Sequence, residues 1–398
     1  MTQNSVLPSR QATDAVLLGR VWNPAVSGPS IVTIRGDDVI DITHCDAPTV
    51  RDVCEMRAPI DYVKRATGPS LMSVSELMHN SIESNRDSNR PWLIAPNDLQ
   101  AIKAAGVTFV KSMLERVIEE QARGDHAEAD SLRKNIQSVI GEDIAAVKPG
   151  SFEAERLKKV LIEKNAWSQY LEVGIGPDPE IFTKSQPMSA VGFGADIGVH
   201  SESTWNNPEP EIVLAVSSVG VCVGATLGND VNLRDIEGRS ALLLSKAKDN
   251  NASCAIGPLI RLFDEQFTMK DVCAADVSLH ISGDDGFELS EVSSMSQISR
   301  TPSELINATI NASHQYPDGF VLFLGTMFAP TQDRDAPGKG FTHKENDIVT
   351  VQNPMLGALR NRVRPAHQCA PWTFGCAKLM RNLASRGLFD VHGQRRTA

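Results

Sequence analysis

Two glutamates stand two residues apart at the start of an apolar run. Glu209 and Glu211 precede a segment that stays apolar as far as Val216. In a β-strand, residues i and i+2 point to the same face, so this spacing would place both carboxylates side by side. Like charges at that distance repel each other, and a cation between them would remove the repulsion; oxygen-only ligands suit a hard ion such as magnesium, calcium or manganese. The spacing alone also allows an ordinary strand entry with two solvated glutamates.

A third carboxylate follows in the next β-like segment. The chain turns at Ser217 and Ser218 and then runs to Asp230. If the two segments pair as antiparallel strands, Asp230 returns close to the glutamates and supplies a third oxygen ligand. Three carboxylates would leave coordination positions open for the adjacent oxygens of a 2-oxo acid, whose carbonyl the metal would activate as a Lewis acid.

Proton-transfer groups are expected on two further segments. Lys248 lies shortly before the segment that begins at Ser253, although a solvent-exposed lysine is an equally good interpretation there. On a predicted helix that starts near residue 110, polar side chains share one face at i, i+3, i+4 and i+7, namely Ser112, Glu115, Arg116 and Glu119. Such a face is usually solvated, as the charge-dense stretch at 125–134 is also expected to be.

The elements that position these groups change type along the chain. Residues 1–95 alternate short β-like runs with turns, which predicts a small N-terminal α+β domain. A mostly helical insertion is expected at about 97–168, including an amphipathic helix within 151–167. Strand-like segments then recur at 211–216, 219–225, 277–282, 319–324 and 347–351. A capping box at Thr301–Glu304, with Pro302 at the first helical position, opens a helix that is expected to reach Tyr316.

Composition excludes several classes of function. The 398 residues carry a formal net charge of −10 with scattered basic residues, which argues against a nucleic-acid or anionic-membrane surface. No apolar run approaches bilayer length and the N-terminus has no leader pattern, so a cytoplasmic protein is expected. The seven cysteines are an odd number and form no C-x-x-C pair, so neither a disulfide framework nor a structural zinc site is indicated. The glycine spacing at 192–198 misses the dinucleotide fingerprint and does not support a nucleotide site. No G-x-S-x-G serine-hydrolase motif is present.

Several segments together resemble the fumarylacetoacetate hydrolase family. They occur in the family's order across about 180–365 and are Pro208–Glu211, Gly228–Gly238, Ala247–Pro258, Leu324–Thr326 and Leu356–Asn361. The resemblance implies an α+β protein in which a mixed β-roll catalytic domain, residues 96–398, follows the smaller N-terminal domain. It also implies Mg²⁺, with Mn²⁺ or Ca²⁺ as alternatives, on Glu209, Glu211 and Asp230, and a homodimer or homotetramer.

A departure from the family pattern narrows the expected reaction. Hydrolytic and decarboxylating members usually carry Asn-Tyr-x-x-His-x-x-Glu before the first strand, whereas here Ser112 occupies the histidine position of the matching segment Thr108–Glu115. This segment is more similar to the 2-keto-3-deoxy-pentonate dehydratases of the same fold. The resemblance therefore implies dehydration of a 2-keto-3-deoxy sugar acid, such as the arabinonate, to α-ketoglutarate semialdehyde. A hydrolase of 2,4-diketo acids and a non-catalytic binding member are the alternatives.

The same resemblance implies roles for individual side chains. Lys248, if burial and the cation lower its pKa, would remove a C3 proton, and Glu119 would protonate the departing C4 hydroxyl, or the two roles would be reversed. In the hydrolase alternative, Glu115 or Glu119 would activate water. Four residues match substrate-contacting positions of the family: Ser112, Arg234, Glu237 and Thr326. For Arg234, a salt bridge to Asp235 or Glu237 is an equally good interpretation.

Overall fold

The computed structural model describes residues 6–8, 14–123, 125, 128–129, 147–163, 167–328, 332–336 and 340–389. In this part of the chain the strands are β1 (Leu17–Asn23), β2 (Gly28–Arg35), β3 (Asp38–Asp41), β4 (Ser70–Ser73), β5 (Trp92–Ile94), β6 (Ala101–Gly106), β7 (Glu180–Ser185), β8 (Asp196–Val199), β9 (Asn206–Asn207), β10 (Pro210–Val216), β11 (Cys222–Asp230), β12 (Asn232–Leu233), β13 (Cys254–Leu262), β14 (Asp276–Ser282), β15 (Glu288–Ser294), β16 (Phe320–Phe323), β17 (Ile348–Asn353) and β18 (Gly357–Pro365).

The α-helices of the described residues surround these strands. They are α1 (Val50–Glu55), α2 (Pro59–Arg65), α3 (Val74–Ser81), α4 (Val110–Gln121), α5 (Phe152–Glu163), α6 (Gln169–Ile175), α7 (Arg234–Glu237), α8 (Leu244–Lys248), α9 (Met269–Cys273), α10 (Pro302–Thr309) and α11 (Cys376–Ser385). None of them is both long enough and apolar enough to cross a membrane.

Two mixed sheets form the framework. The larger has the order β4-β3-β2-β1-β13-β11-β10-β16-β6-β7, with β5 also paired to β1, and the smaller has the order β15-β14-β17-β18-β8. Most neighbours are antiparallel, but β6 pairs with β16 and β8 with β18 in parallel. Strands of residues 14–95 continue the larger sheet through the β1–β13 pairing, and a separate domain ending at residue 95 stays a prediction.

The core lies between these sheets. Every residue of β10 is buried, which explains why the strand is continuously apolar after Glu211. In contrast, β14 alternates, with Val277, Leu279 and Ile281 buried and their neighbours largely exposed. Ile212 and Leu214 of β10 belong to the same buried cluster as Leu279 and Ile281. The centre of the larger sheet is thus enclosed on both faces, and the paired glutamates lie at the start of its strand β10.

Two secondary-structure predictions were wrong. Helix α10 has the predicted capping box and begins at Pro302, but it ends at Thr309 rather than near Tyr316. It stops there because the Asn311 side chain accepts hydrogen bonds from the backbone of Ser313 and His314 and forms a competing turn. The insertion predicted to be mostly helical contains β6, whose alanine-rich sequence was not recognised as a strand; pairing with β16 and β7 overrides its local preference.

Candidate active site

The paired strands β10 and β11 bring three carboxylates together. In their register Pro210 lies opposite Asn229 and Glu211 opposite Gly228, so Asp230 ends its strand beside Glu209. The Asp230 amide donates to the Glu209 carbonyl at 3.0 Å, which fixes this end of the hairpin. One carboxylate oxygen from each of Glu209, Glu211 and Asp230 lies within 4.8 Å of the other two, and all three residues are buried. We call these three residues the carboxylate cluster.

The carboxylate cluster fits a hard divalent cation. Burial, followed by the charges of Asp230 and Glu209, raises the pKa of Glu211 well above its usual value, although the Gly325 amide donates to this carboxylate at 2.6 Å. Three buried carboxylates at this distance repel each other unless positive charge lies between them. Because all the candidate ligand atoms are carboxylate oxygens, the donor set suits magnesium, manganese or calcium rather than a soft metal.

Two buried lysines contact opposite oxygens of Asp230. Lys248, the last residue of α8, places Nζ 3.1 Å from Oδ2 of Asp230 and 2.8 Å from Oε2 of Glu209. Lys184 on β7 places Nζ 2.9 Å from Oδ1 of Asp230 and donates to the Lys248 carbonyl at 2.7 Å. Lys184 therefore ties the metal-ligand candidate Asp230 to the backbone that carries Lys248.

The expectation of a lowered lysine pKa needs correction. Burial alone would lower the pKa of Lys248, but the carboxylates of Asp230, Glu209 and Glu237 together raise it above its usual value. In the protein without a cation, Lys248 is therefore an ammonium group that pairs with the cluster.

Arg116 connects α4 to the carboxylate cluster. Its Nη2 lies 2.6 Å from Oε1 of Glu209, and its Nη1 lies 3.0 Å from Oε2 of Glu119 and 3.2 Å from Oε2 of Glu237. The helix face that carries it is buried rather than solvated. A single guanidinium group thus joins three carboxylates, and two of its nitrogens donate to them in different directions.

Glu119 and Glu115 are paired with arginines behind the cavity. Arg234 donates from Nε to Oε1 of Glu119 at 2.5 Å and from Nη2 to Oε2 of Glu115 at 3.3 Å. Its guanidinium carbon lies 4.6 Å from the centre of the Trp205 ring. The expected alternative for Arg234, a salt bridge to Asp235 or Glu237, is therefore not what forms; Asp235 instead accepts from Ser203 and Thr204.

A cavity opens onto the carboxylate cluster. Besides the cluster, its described lining consists of Ala105, Gly106, Val107, Ser112, Arg116, Glu180, Phe182, Glu237, Lys248, Gly325 and Thr326. Of the residues that the sequence assigned to catalysis or substrate, Ser112, Glu237, Lys248 and Thr326 line the cavity. Glu115, Glu119 and Arg234 are not among the lining residues, which separates them from the place where a substrate would sit.

Glu180 is a lining carboxylate that the sequence analysis missed. Burial, together with the charge of Glu237, raises its pKa to about 7. Its carboxylate lies over the backbone of Gly106, where a Cβ atom would come within 2.0 Å of Oε2. The signal for it was present in β7, because Glu180, Phe182 and Lys184 alternate along the strand and so share one face. Two charged residues on the same face of a strand indicate a polar site rather than a core.

Residues 165–364 of the chain match the family model described as the fumarylacetoacetate (FAA) hydrolase C-terminal domain. The chain belongs to the fumarylacetoacetate hydrolase family. This confirms the predicted family and the predicted fold class, a sheet-rich mixed α+β architecture of the fumarylacetoacetate hydrolase type.

Two curated relatives of this chain are named as sugar-acid dehydratases. The 2-dehydro-3-deoxy-D-arabinonate dehydratase of Saccharolobus solfataricus is 33% identical over 186 residues, which span 47% of this chain and 59% of that protein. The probable 2-keto-3-deoxyxylonate dehydratase of Haloferax volcanii is 30% identical over 266 residues, which span 67% of this chain and 86% of that protein.

Solved structures share the fold. The apo form of a 2-keto-3-deoxy-D-arabinonate dehydratase has a TM-score of 0.60 at 22% identity and covers 88% of this chain and 99% of its own. The same kind of enzyme complexed with magnesium and 2,5-dioxopentanoate has a TM-score of 0.59 with the same identity and coverage. At this identity the similarity establishes the fold of this family member.

The charges around the cavity do not balance. Among the described residues, six carboxylates line the cavity or pair with its lining residues, against three cations: Glu119, Glu180, Glu209, Glu211, Asp230 and Glu237 against Arg116, Lys184 and Lys248. If all were ionised, the site would lack three positive charges. A divalent cation would supply two of them, and without it burial and the neighbouring acids raise the pKa values of Glu180 and Glu211.

Proposed function

We propose that this family member is a divalent-metal-dependent hydro-lyase that dehydrates a 2-keto-3-deoxy sugar acid. The proposed substrate is a 2-keto-3-deoxy-pentonate such as the arabinonate, and the proposed product is α-ketoglutarate semialdehyde (2,5-dioxopentanoate). The observation that carries the proposal is the cavity in which the buried carboxylate cluster, Lys248 and Glu180 meet. The names of both curated relatives support the same reaction type.

The carboxylate cluster would hold the cation through Glu209, Glu211 and Asp230. A divalent cation bound there would hold the C1 carboxylate and C2 oxo group of the substrate and make the C3 protons acidic. Gly325 donates its amide to Glu211 and so keeps that carboxylate turned to the cluster. Lys184 and Arg116 similarly hold one oxygen each of Asp230 and Glu209, so the ligand set is pre-organised by the protein.

We assign the proton transfers to Lys248 and Glu180. Both line the cavity, and one of the pair removes a C3 proton while the other protonates the C4 hydroxyl as it leaves. The C3–H and C4–O bonds break, a C3=C4 double bond forms and one water leaves. Transfer of a proton from C5 to C3 then moves the double bond to C4=C5, and this enol tautomerises to the terminal aldehyde. Glu180 takes the role that the sequence assigned to Glu119, because both oxygens of Glu119 are bound by Arg116 and Arg234.

The remaining lining residues would orient the substrate. Ser112 donates its hydroxyl to the Phe109 carbonyl at 3.0 Å, which leaves its oxygen lone pairs to accept a substrate hydroxyl. Thr326 follows Gly325 directly, and its Oγ1 accepts from the Phe328 amide at 3.0 Å, which leaves its hydroxyl proton to donate to a carboxylate. Glu115, Glu119 and Arg234 then act as support for Arg116 rather than as contacts to substrate.

A direct assay distinguishes the proposed reaction from its rival within the family. We expect the purified protein with magnesium to convert 2-keto-3-deoxy-arabinonate to 2,5-dioxopentanoate, measured by chromatography with mass detection. Release of pyruvate from a 2,4-diketo acid, with no dehydration of any 2-keto-3-deoxy sugar acid, would show that the protein is a C–C hydrolase instead. The described lining residues include no histidine to activate water for that hydrolysis.

A further inference from the structure

We propose that Glu180 and Glu237 make the cavity selective for a 2-oxo acid whose remaining chain is uncharged and hydroxylated, and against one that carries a second carboxylate. This selectivity rests on the proposed function, because it specifies which 2-oxo acids the carboxylate cluster accepts. It assigns Glu180 and Glu237 as determinants of specificity.

Two lining carboxylates remain after the carboxylate cluster is assigned to the cation. Glu180 projects into the space that Gly106 leaves by having no Cβ atom. Glu237 is buried on the short helix α7, and both of its cationic contacts are made by Oε2, at 3.2 Å to Arg116 and 4.0 Å to Lys248. The part of a substrate that extends beyond its 2-oxo acid group therefore meets carboxylate oxygens.

The cations that line the cavity are already paired. Among the described lining residues these cations are Arg116 and Lys248. Arg116 contacts Glu209, Glu119 and Glu237 at 2.6–3.2 Å, and Lys248 contacts Glu209 and Asp230 at 2.8 and 3.1 Å. A second substrate carboxylate would thus enter a buried, acid-lined space in which the described residues offer no free cationic partner.

Hydroxyl groups and carboxylates differ sharply in such a space. A hydroxyl donates to a carboxylate oxygen in a charge-assisted hydrogen bond, which is stronger than a neutral one. A carboxylate can only accept hydrogen bonds, and it repels the like charges that face it. We therefore expect a difference in affinity of at least about tenfold between five-carbon 2-oxo acids that differ only at the last carbon.

Two probes of equal length test the difference. The magnesium-loaded protein is titrated calorimetrically with 5-hydroxy-2-oxopentanoate and with 2-oxoglutarate, which end in a hydroxymethyl group and a carboxylate respectively. We expect the hydroxylated acid to bind at least about tenfold more tightly. In the double variant Glu180→Gln, Glu237→Gln, the ratio should fall to within about threefold, because the amides can donate to a carboxylate.

The control removes one negative charge elsewhere. Glu265 is exposed on a loop, so Glu265→Gln should keep the wild-type ratio of affinities. Equal binding of the two probes by the wild-type protein would overturn the proposal, as would a loss of selectivity in the control that matches the loss in the double variant. If the double variant does not fold, Glu180→Gln alone must narrow the ratio, and an unchanged ratio would count against the proposal.

The reaction assay separates this selectivity from the proposed function. Selectivity for the hydroxylated probe without dehydration of a 2-keto-3-deoxy sugar acid would support the inference and contradict the function. Dehydration together with equally tight binding of 2-oxoglutarate would support the function and contradict the inference.

Discussion

Two clusters of charged side chains lie at the two ends of the chain segment between β16 and β17, and they are built differently. At its start, Gly325 donates to Glu211 in the carboxylate cluster, where acids outnumber cations. At its end, both carboxylate oxygens of Asp347 accept hydrogen bonds from the Arg334 guanidinium, at 2.6 and 2.7 Å. His343 Nδ1 lies 3.2 Å from Oδ2 of the same carboxylate. Arg334 also reaches Asp285, and Lys344 pairs with Asp285 at 3.0 Å. We call this second group the Asp347 cluster.

The difference between the clusters separates a binding site from a structural anchor. In the Asp347 cluster, Arg334 and His343 hold the pKa of Asp347 below its usual value even though burial alone would raise it. In the carboxylate cluster, burial and neighbouring acids raise the pKa of Glu211. A buried group whose charge is fully matched stabilises the fold, whereas an unmatched set of acids is stable only when a cation or protons complete it.

The largest expected effect comes from removing one member of the carboxylate cluster. Glu211→Gln should weaken magnesium binding more than about 100-fold, because losing a ligand should cost more than the 10–100-fold typical of residues that only support ligands. Turnover should fall with it. Calorimetric titration with magnesium and the reaction assay measure the two quantities, and Glu265→Gln serves as the charge-matched control. Unchanged metal affinity would mean that the cluster is not the metal site.

Glu180→Gln should separate proton transfer from metal binding. We expect turnover to fall by about 10²–10⁴-fold, the usual contribution of a general acid or base, while magnesium affinity changes by less than about threefold. Steady-state kinetics and calorimetry check the two parts. Full turnover in this variant would mean that a group other than Glu180 transfers the proton. Glu119→Gln would then be the variant to compare.

Breaking the Asp347 cluster should lower the stability of the fold and leave magnesium affinity nearly unchanged. Asp347→Asn leaves the buried Arg334 guanidinium without its main partner, so the free energy of unfolding should drop by about 3 kcal/mol. Chemical denaturation measures this loss. The magnesium affinity of the folded variant should stay within about threefold of wild type. If Asp347→Asn had normal stability but no longer bound magnesium, the Asp347 cluster would be the metal site and not a structural anchor.

Magnesium should stabilise only a protein with an intact carboxylate cluster. At a concentration of 100 times Kd, the ion should raise the free energy of unfolding by about 2.7 kcal/mol. Thermal unfolding with and without magnesium shows the effect, which we expect to persist in Asp347→Asn and to disappear in Glu211→Gln. The same stabilisation in Glu211→Gln would place the ion elsewhere.

The smallest expected effect is a pH-dependent gain in stability. Glu180 has a folded pKa of about 7 against 4.5 for the unconstrained group. The folded state therefore holds the Glu180 proton more tightly than the unfolded state does. Ionisation of Glu180 lowers the free energy of unfolding, and this loss is absent below about pH 4.5 and complete above about pH 7. Without metal, Glu180→Gln should be more stable than wild type by about 1–3 kcal/mol at pH 8 and by much less at pH 5. Equal differences at both pH values would contradict the raised pKa.

The sequence predicted most of the geometry of the carboxylate cluster because that geometry is local. Glu209 and Glu211 lie on one strand, and Asp230 lies on the strand that pairs with it directly, so period and register were enough. The family and the fold class were predicted as well, and so was strand β10, which carries Glu211. Lys248 and Glu237 follow closely after Asp230, and the resemblance was sufficient to single them out.

The rest depends on contacts between distant segments. Glu180 reaches the cavity because β7 pairs with β6, a strand that was not predicted, at the edge of the larger sheet. The polar face of α4 could not be told from a solvated one, and only its contact with Glu209 and Glu237 shows that Arg116 rather than Glu119 meets the cavity. Tertiary pairing of charges is not encoded in the period of a helix or a strand.

One assay tests the central claim most directly. The protein is stripped of metal with a chelator, and 2-keto-3-deoxy-arabinonate is added before and after an excess of magnesium, while 2,5-dioxopentanoate is measured over time. We predict no product before magnesium and steady formation of one 2,5-dioxopentanoate per substrate consumed after it. Product formation at the same rate without a divalent ion, or no dehydration of any 2-keto-3-deoxy sugar acid with it, would contradict the proposed role of the carboxylate cluster.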